Sequence, residues 1–418
     1  MGSARIACAT FLLSAVVGSC FAGNLVAFKS NGQLYPAIAK HRFEKLFKDV
    51  KDKPEIFPVE IRLFKTTYKS RTSTGRMVDV SGLVAIPQSG APKGLVVYFH
   101  GTTADRENVP SRYRGNPAPE EADLAVLAFA TAGYAVAAPD YLGLGDHMGF
   151  HPYPMGSVNC WSGIDLIKPA REIAEKNGLS IGKDLFVTGY SEGGAVAMWA
   201  TRRLSAMTDP AFQVTRSAPM SGPYDLSETQ VQSMIAGQSN AKWLGARVYF
   251  AAYALRSIQK NYGIRLEDYV SPSFATYVPF VFNQELKDED TIKKLVTKAF
   301  QLGAIRDLNR VLNLEFRDDL KNRNIANPVV EQLVANDCHN WTPKTPMYMF
   351  CLSDDFLVPK ENTLKAVNSM RARGVGPELV RHYVLEGRKF DHMTGILPGL
   401  IHARKFFDGG FENVLPQP

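Results

Sequence analysis

Cysteine, dense basic segments and long apolar runs are all scarce in this chain of 418 residues. It has five cysteines, no Cys-x-x-Cys pair and no close cluster of cysteine and histidine, so we predict no metal site. Lys and Arg are scattered despite a net charge of +7, which indicates a solvated surface and no nucleic-acid partner. The same charge would favour contact with an anionic lipid surface. An apolar content of 45% with 21% charged residues favours a globular protein and indicates neither a disordered chain nor a membrane bundle.

The N-terminus predicts export. Arg5 is followed by IACATFLLSAVVGSCFA, an apolar stretch that ends in small residues and is typical of a secretory signal peptide. Cleavage after Ala22 would make residues 1–22 the signal peptide. The sequence VGSC at 17–20 also resembles a lipobox, which in a bacterium would make Cys20 a lipidated N-terminus. Secretion and anchoring through Cys20 therefore stay open, with secretion the simpler interpretation.

Three cysteines remain after this leader. Cys351 lies in the apolar run MYMFCL and is expected to be a buried thiol. Cys160 and Cys338 lie in polar segments that we interpret as loops, so the two could pair in an oxidising compartment.

Strand-like and helix-like segments alternate along the chain. Strand patterns occur at 59–68, 78–86, 95–100, 134–141, 185–191, 213–221, 347–353 and 379–385. Helical patterns intervene from the third strand onward, at 120–132, at 161–177, after residue 191 and at 360–373. The apolar run 124–139 is divided by Gly133 into a helix and a strand, which leaves no spanning helix in the mature chain. The pattern predicts a mainly parallel sheet with helices on both faces.

The alternation stops between the strand ending near 221 and the strand starting near 347. This interval of roughly 120 residues is far too long for an ordinary connection. Helical stretches such as DTIKKLVTKAF and VVEQLVAN occur in it beside Tyr- and Phe-rich pieces. We therefore predict a core at 23–223 and 345–418, interrupted by a mostly helical cap at 224–344 that could shape an apolar pocket.

Ser191 is the candidate nucleophile. It lies between Gly189 and Gly193 in VTGYSEGGAVAMW, directly after a buried strand pattern and before an amphipathic helix pattern. A Gly-x-Ser-x-Gly match alone is weak evidence. A tight strand-to-helix turn, however, would expose the serine oxygen and aim the next backbone N–H groups at a developing oxyanion.

A serine hydroxyl needs a base, and His392 is our candidate. It follows the strand at 379–385 in the segment FDHMTG. His382 lies inside that strand pattern and His402 in the next helix, so ordinary packing or surface roles suit both. Earlier histidines precede the point where the acid should occur, although a pocket role for His151 stays open.

The acid that orients the histidine is predicted at Asp355. The segment SDDFLVP follows the strand at 347–353, and neighbouring residues that leave a strand point in opposite directions. Asp355 begins a D-x-x-V-P pattern, whereas Asp354 suits a solvated or turn-capping position. Asp391 is a third candidate, but side chains adjacent in sequence seldom align for a shared hydrogen bond.

The segment FHGTT at 99–103 supplies the second candidate oxyanion donor. His-Gly after the third predicted strand would let the backbone turn back over the nucleophile. We predict that the backbone N–H groups of Thr102 and Glu192 form the oxyanion hole.

Five motifs together resemble the secretory lipase family of α/β-hydrolases: HGTT at 100–103, APDYLGLGDH at 138–147, GYSEGG at 189–194, SDDFLVP at 353–359 and FDHMTG at 390–395. The resemblance spans roughly 95–405. It implies an α/β-hydrolase fold with a mainly parallel eight-stranded sheet and a helical insertion after the sixth strand. It also implies hydrolysis of carboxylic esters, often lipid esters, with the triad at Ser191, Asp355 and His392. The chain departs from fungal members, which often have two disulfides, and from the many members with Gln at the position of Glu192.

The predicted activity is ester hydrolysis through an acyl-enzyme, without a cofactor or metal. A serine peptidase or amidase on the same fold is the nearest alternative, and a non-catalytic lipid-binding protein is a more distant one. Binding alone would require neither the triad nor the oxyanion loop.

Overall fold

A single sheet organises the chain in the computed structural model, which describes residues 23–88, 90–236, 241–283, 286–304 and 307–414. The predicted signal peptide at 1–22 lies outside the described residues. Within them the sheet has nine strands: β1 (Leu25–Leu34), β2 (Ile61–Arg71), β3 (Met77–Pro87), β4 (Gly94–Phe99), β5 (Ala135–Pro139), β6 (Asp184–Tyr190), β7 (Arg216–Met220), β8 (Met347–Leu352) and β9 (Val380–Leu385). Their spatial order is β1-β2-β3-β5-β4-β6-β7-β8-β9. Strands β1, β2 and β3 are antiparallel to their neighbours, and the six strands β4 to β9 are parallel to one another.

The prediction of eight strands was wrong by one, because β1 has no recognisable strand pattern. It pairs antiparallel with β2 at the edge of the sheet, with register shifts at Leu25/Ala27 and Ser30/Gly32. Its segment KSNGQ is polar, and Gly32 has a φ of 127°. Edge strands with bulges lose the regular alternation that a sequence pattern needs. The long insertion consequently follows the seventh strand of the sheet, although it follows the sixth of the predicted strands.

Twelve α-helices occur in the described residues: α1 (Pro36–Leu46), α2 (Glu120–Phe129), α3 (Gly156–Lys176), α4 (Glu192–Leu204), α5 (Val231–Ile235), α6 (Ala241–Tyr262), α7 (Pro272–Val281), α8 (Asp288–Gln301), α9 (Leu314–Asn322), α10 (Pro328–Ala335), α11 (Glu361–Ala372) and α12 (Ile396–Gly409). One face of the sheet is covered by α1, α2 and α12, and the other by α3, α4 and α11. The sheet therefore has a hydrophobic core on each face. In β6, for example, Val187 packs into one core and its neighbour Phe186 into the other. Burial on both faces explains why the central strands are apolar throughout.

Between β7 and β8 the chain forms α5 to α10, and we keep the name cap for residues 224–344. The apolar faces of these helices join the core that contains α3 and α4. No described helix is both long enough and apolar enough to cross a lipid bilayer.

All three cysteines of the described chain are free and buried. Cys160 was wrongly expected in a loop, since it lies inside α3 and its thiol donates to the Ser157 carbonyl. Cys338 is also buried, and its thiol donates to the Ala195 carbonyl. Burial raises the pKa of Cys160 to about 12, which favours an inert thiol over a disulfide partner.

Candidate active site

Four loops meet where the parallel strands end. Ser191 follows β6, Asp355 follows β8, His392 follows β9, and Thr102 follows β4. The last residues of these strands are in register, for example Phe99 with Gly189 in β4 and β6. Because parallel strands end at the same edge of a sheet, residues far apart in sequence are brought to one place.

Ser191 occupies a strained turn between β6 and α4. Its φ of 60° and ψ of −124° are values that a residue with a side chain rarely adopts. The turn leaves no room for side chains beside it. A Cβ on Gly193 would lie 2.0 Å from the carbonyl oxygen of Phe99, and one on Gly189 would lie 2.3 Å from that of Gly193. The glycines therefore let α4 pack directly against the end of β4, with Ser191 only partly buried.

The structure brings the three predicted side chains together. Nε2 of His392 lies 2.8 Å from Oγ of Ser191, and Nδ1 of His392 lies 2.6 Å from Oδ2 of Asp355. A carboxylate can only accept, so Nδ1 carries the proton and the Ser191 hydroxyl donates to Nε2. Oδ1 of Asp355 accepts from the backbone N–H groups of Leu357 and Val358, at 3.0 and 2.9 Å. These two bonds hold the carboxylate in place.

The competing candidates lie elsewhere. Asp354 is partly exposed and accepts a 3.4 Å hydrogen bond from the hydroxyl of Ser353. Asp391 bonds within its own turn, where its Oδ1 accepts from the Thr394 hydroxyl. His402 lies in α12 and stacks on Tyr383, and burial lowers its pKa to about 4.

Thr102 and Glu192, the predicted oxyanion donors, line the same cavity as Ser191. Glu192 is the first residue of α4, where a backbone N–H has no partner inside the helix. The residue before Thr102 is anchored to the core, since the N–H of Gly101 donates to Oε1 of Glu121 at 2.8 Å. Removal from water raises the pKa of this Glu121 carboxyl. The hydroxyl of Tyr98 donates to the same oxygen at 2.7 Å.

The side chain of Glu192 points to a different partner, His151. Oε1 of Glu192 lies 3.0 Å from Nε2 of His151, and Nδ1 of His151 lies 3.0 Å from the carbonyl of Leu142. Both ring nitrogens of His151 therefore lie within hydrogen-bond distance of an oxygen atom. His151 is thus a support for the turn that carries Ser191 and does not line the cavity.

An apolar cavity of about 910 Å³, counted with its open mouth, starts at Ser191 and extends into the cap. Helix α6 alone contributes five residues to its wall: Phe250, Ala251, Ala254, Leu255 and Ile258. Thr102, Tyr153, Ser191, Glu192 and Gln230 are the lining residues that carry a polar side chain. A cavity of this kind suits a ligand with a long apolar part and a polar group near Ser191.

One cluster in the described chain has side chains of the kind that bind metals. Ligand atoms of Asp225, Asp337 and His339 all lie within 4.8 Å of one another where the two ends of the cap meet. Lys365 lies 3.5 Å from Asp225 and Arg323 lies 3.3 Å from Asp337, so both carboxylates already have a cationic partner. We interpret the cluster as an ion-pair network that joins the ends of the cap.

The sequence did not indicate the residues that hold the oxyanion loop. Glu121 lies at the start of the helix predicted at 120–132, and Asp288 lies in the charged run KDED, which resembles any solvated helix N-terminus. Their contacts with Gly101 and Ala104 span many residues of the chain. Such contacts leave no local signal.

A serine on a sharp turn after a parallel strand, with a histidine and an acid from later strands, defines the α/β-hydrolase class of architecture. Comparisons with known proteins agree with this class. A secreted triacylglycerol lipase of Malassezia globosa is 24% identical over 359 residues, which cover 83% of this chain and 72% of that protein. No family model matches the sequence.

Solved structures show the same fold. A protein of Legionella pneumophila described as a hydrolase aligns with a TM-score of 0.79 and 23% identity, covering 94% of this chain and all of that one. The rice cell wall degrading esterase LipA of Xanthomonas oryzae aligns with a TM-score of 0.78 and 22% identity, covering 94% and 99%. These comparisons confirm the predicted α/β-hydrolase fold and the resemblance to lipases. By fold and by sequence similarity, the chain therefore resembles lipases and esterases.

Proposed function

We propose that this protein is an exported serine hydrolase that cleaves carboxylic esters through an acyl-enzyme. The observation that carries the proposal is the hydrogen-bonded series Asp355–His392–Ser191 at the mouth of an apolar cavity. Export is supported by the signal-like N-terminus and by similarity to a secreted lipase. A lipid anchor at Cys20 rests on the sequence motif alone, and the mass of the mature protein tests it.

In the proposed reaction, the oxygen of Ser191 attacks the ester carbonyl while its proton passes to Nε2 of His392. Asp355 accepts the Nδ1–H bond throughout and stabilises the imidazolium that forms. His392 then protonates the alcohol as it leaves. Water repeats the sequence on the acyl-enzyme, with His392 again the base, and releases the acid.

The tetrahedral intermediate carries a negative oxygen that needs fixed donors. The backbone N–H groups of Thr102 and Glu192 are the proposed donors, since both residues line the cavity beside Ser191. Removing one such donor from a serine hydrolase costs about 10²–10³ in kcat.

The cavity favours an ester with an apolar acyl chain. Each methylene group transferred from water to an apolar wall contributes about 0.8 kcal/mol, which is roughly fourfold in kcat/KM. We expect kcat/KM for p-nitrophenyl esters to rise with chain length until the cavity is filled.

The test compares p-nitrophenyl esters of graded length with aminoacyl anilides, and it measures labelling of the protein by a fluorophosphonate. Ester hydrolysis and labelling are expected in the wild type and absent in Ser191→Ala. Faster cleavage of the anilides than of any ester would favour a peptidase or amidase. A folded wild-type protein that is not labelled would favour a lipid-binding protein without catalysis.

A further inference from the structure

The loop that carries Thr102 is held from two sides, and the first side is the core. The N–H of Gly101 donates to Glu121 at 2.8 Å, and the carbonyl of His100 accepts from the hydroxyl of Tyr141 at 2.8 Å. These bonds fix the chain immediately before Thr102 with respect to the sheet.

The second side is the cap, through Asp288 at the start of α8. Its Oδ1 accepts from the N–H of Ala104 at 2.8 Å, and its Oδ2 accepts from the Thr103 hydroxyl at 2.5 Å. The hydroxyl of Tyr249 donates to Oδ1 at 2.6 Å, and that of Tyr253 donates to the Thr103 carbonyl at 3.1 Å. Both tyrosines belong to α6 of the cap, and the Tyr249 hydroxyl also accepts from the N–H of Ala104 at 3.0 Å, so two cap helices bind the same two loop residues.

The Thr103 hydroxyl extends this contact one residue further. It accepts from the N–H of Asp105 at 3.1 Å while it donates to Asp288. Asp288 therefore holds the N–H of Ala104 directly and that of Asp105 through a hydroxyl. The peptide of Thr102 lies between this cap-bound segment and the core-bound Gly101.

We propose that Asp288 is a positioning residue that couples the cap to the oxyanion loop and thereby orients the Thr102 N–H toward the reacting carbonyl. The inference rests on the proposed esterase function. A cap that moves away from the core would break the Asp288 bonds and release the loop on one side. The complete oxyanion hole would then exist only while the cap is closed over the substrate.

The coupling predicts a particular kinetic signature. The oxyanion forms only during the reaction, so a misdirected N–H weakens transition-state binding more than substrate binding. Misplacement of a catalytic group by about 1 Å can cost on the order of 10² in rate. We expect Asp288→Ala to lower kcat by about 10- to 100-fold, with KM within about threefold of the wild type.

Two further variants separate positioning from a general effect on α8. Asp288→Asn keeps an oxygen for the Ala104 N–H and offers an N–H to the Thr103 oxygen, so it should recover most of the lost kcat. Asp290→Ala removes an exposed acid from the same helix N-terminus, and Asp290 has no hydrogen bond to the loop within the described residues. It is the matched control for helix charge and is expected to keep wild-type kcat.

The experiment measures kcat and KM for the three variants and the wild type, with thermal unfolding to establish that each is folded. The inhibition constant of a trifluoromethyl ketone, which forms a tetrahedral adduct with the serine, should rise in parallel with the loss of kcat. Hydrogen exchange of the loop amides at 102–105 should accelerate in Asp288→Ala and not in Asp290→Ala.

The outcomes distinguish failure of the Asp288 positioning role from failure of the proposed esterase function. A kcat for Asp288→Ala equal to that of Asp290→Ala, or a change confined to KM, would overturn the positioning role while leaving the esterase proposal intact. A wild-type protein that hydrolyses no ester would overturn the proposed function. Loop exchange would then still report on the contact itself, and unchanged exchange in Asp288→Ala would overturn the coupling of cap and loop.

Discussion

Replacement of Asp355 by asparagine tests the geometry of the proposed triad, because the amide keeps the shape of the carboxylate and changes its hydrogen-bonding pattern. Oδ1 of Asp355 accepts from the N–H groups of Leu357 and Val358, and Oδ2 accepts from Nδ1 of His392. In the variant, the side-chain oxygen must stay at the two N–H donors, since an NH2 group there would face donors only. The NH2 group must therefore face His392.

That orientation forces the wrong tautomer on the imidazole. Nδ1 of His392 has to accept from the amide, so the ring proton moves to Nε2. Nε2–H then points at Oγ of Ser191, 2.8 Å away, and cannot take its proton. In a Ser-His-Asp triad this change lowers kcat about 10⁴-fold, which corresponds to roughly 5.4 kcal/mol of lost transition-state stabilisation.

The assay is kcat for a p-nitrophenyl ester, with the rate of fluorophosphonate labelling as a second measure of the serine. The neighbouring variant Asp354→Asn is the matched control and should retain wild-type kcat, since Asp354 has no hydrogen bond to His392 within the described residues. Thermal unfolding should be similar for both variants, because both bonds to Oδ1 of Asp355 survive. A kcat for Asp355→Asn within about tenfold of the wild type, or an equal loss in Asp354→Asn, would refute the reasoning.

Three further predictions concern stability and specificity. Gly193→Ala would place a Cβ 2.0 Å from the Phe99 carbonyl and should cost more than about 3 kcal/mol of unfolding free energy. Gly178→Ala, in open space with a φ of 75°, should cost only about 1–2 kcal/mol, and equal losses in urea unfolding would contradict this account. Burial lowers the pKa of His402 to about 4 in the folded protein, so as the pH falls from 6.5 this histidine is protonated in the unfolded state before it is protonated in the folded state. The free energy of unfolding should therefore decrease by up to about 1.4 kcal/mol per pH unit between pH 6.5 and 4. His402→Gln should remove this share of the slope between pH 6.5 and 4 in urea titrations, and an unchanged slope would assign it to other groups. Ala254→Phe narrows the cavity and should lower kcat/KM for a dodecanoate ester by about tenfold or more while sparing the acetate, whereas a uniform loss would argue against an acyl site there.

Much of the fold followed from local patterns. The parallel strands are continuous apolar runs because both faces of the sheet are covered. Gly133, with a φ of 89°, ends the short 3-10 turn that follows α2, where the sequence predicted a break. Strand β1 was missed for the opposite reason, since its segment KSNGQ is polar and the strand is bulged and lies at an edge. Cys160 was misassigned because its surroundings are polar in sequence, although α3 buries its thiol.

In the candidate site, too, the sequence predicted the residues, and the contacts between them depend on the fold. Ser191, Asp355 and His392 each stand in a short motif after a strand, so the alternation of strands and helices was enough to nominate them. The preference for Asp355 over Asp354 came from a motif, and the contact with His392 at 2.6 Å is a property of the assembled sheet.

Local sequence patterns were enough to predict strands β2 to β9, the turn at Ser191 and the length of the insertion, because these features depend on neighbours within a few residues. The contacts between distant segments became known only from the folded chain. Folding placed Glu192 against His151, brought Asp288 of the cap onto the loop at Ala104, and lined the cavity with α6. These contacts join segments far apart in the chain, where any acid or apolar side chain looks alike until packing selects its partner.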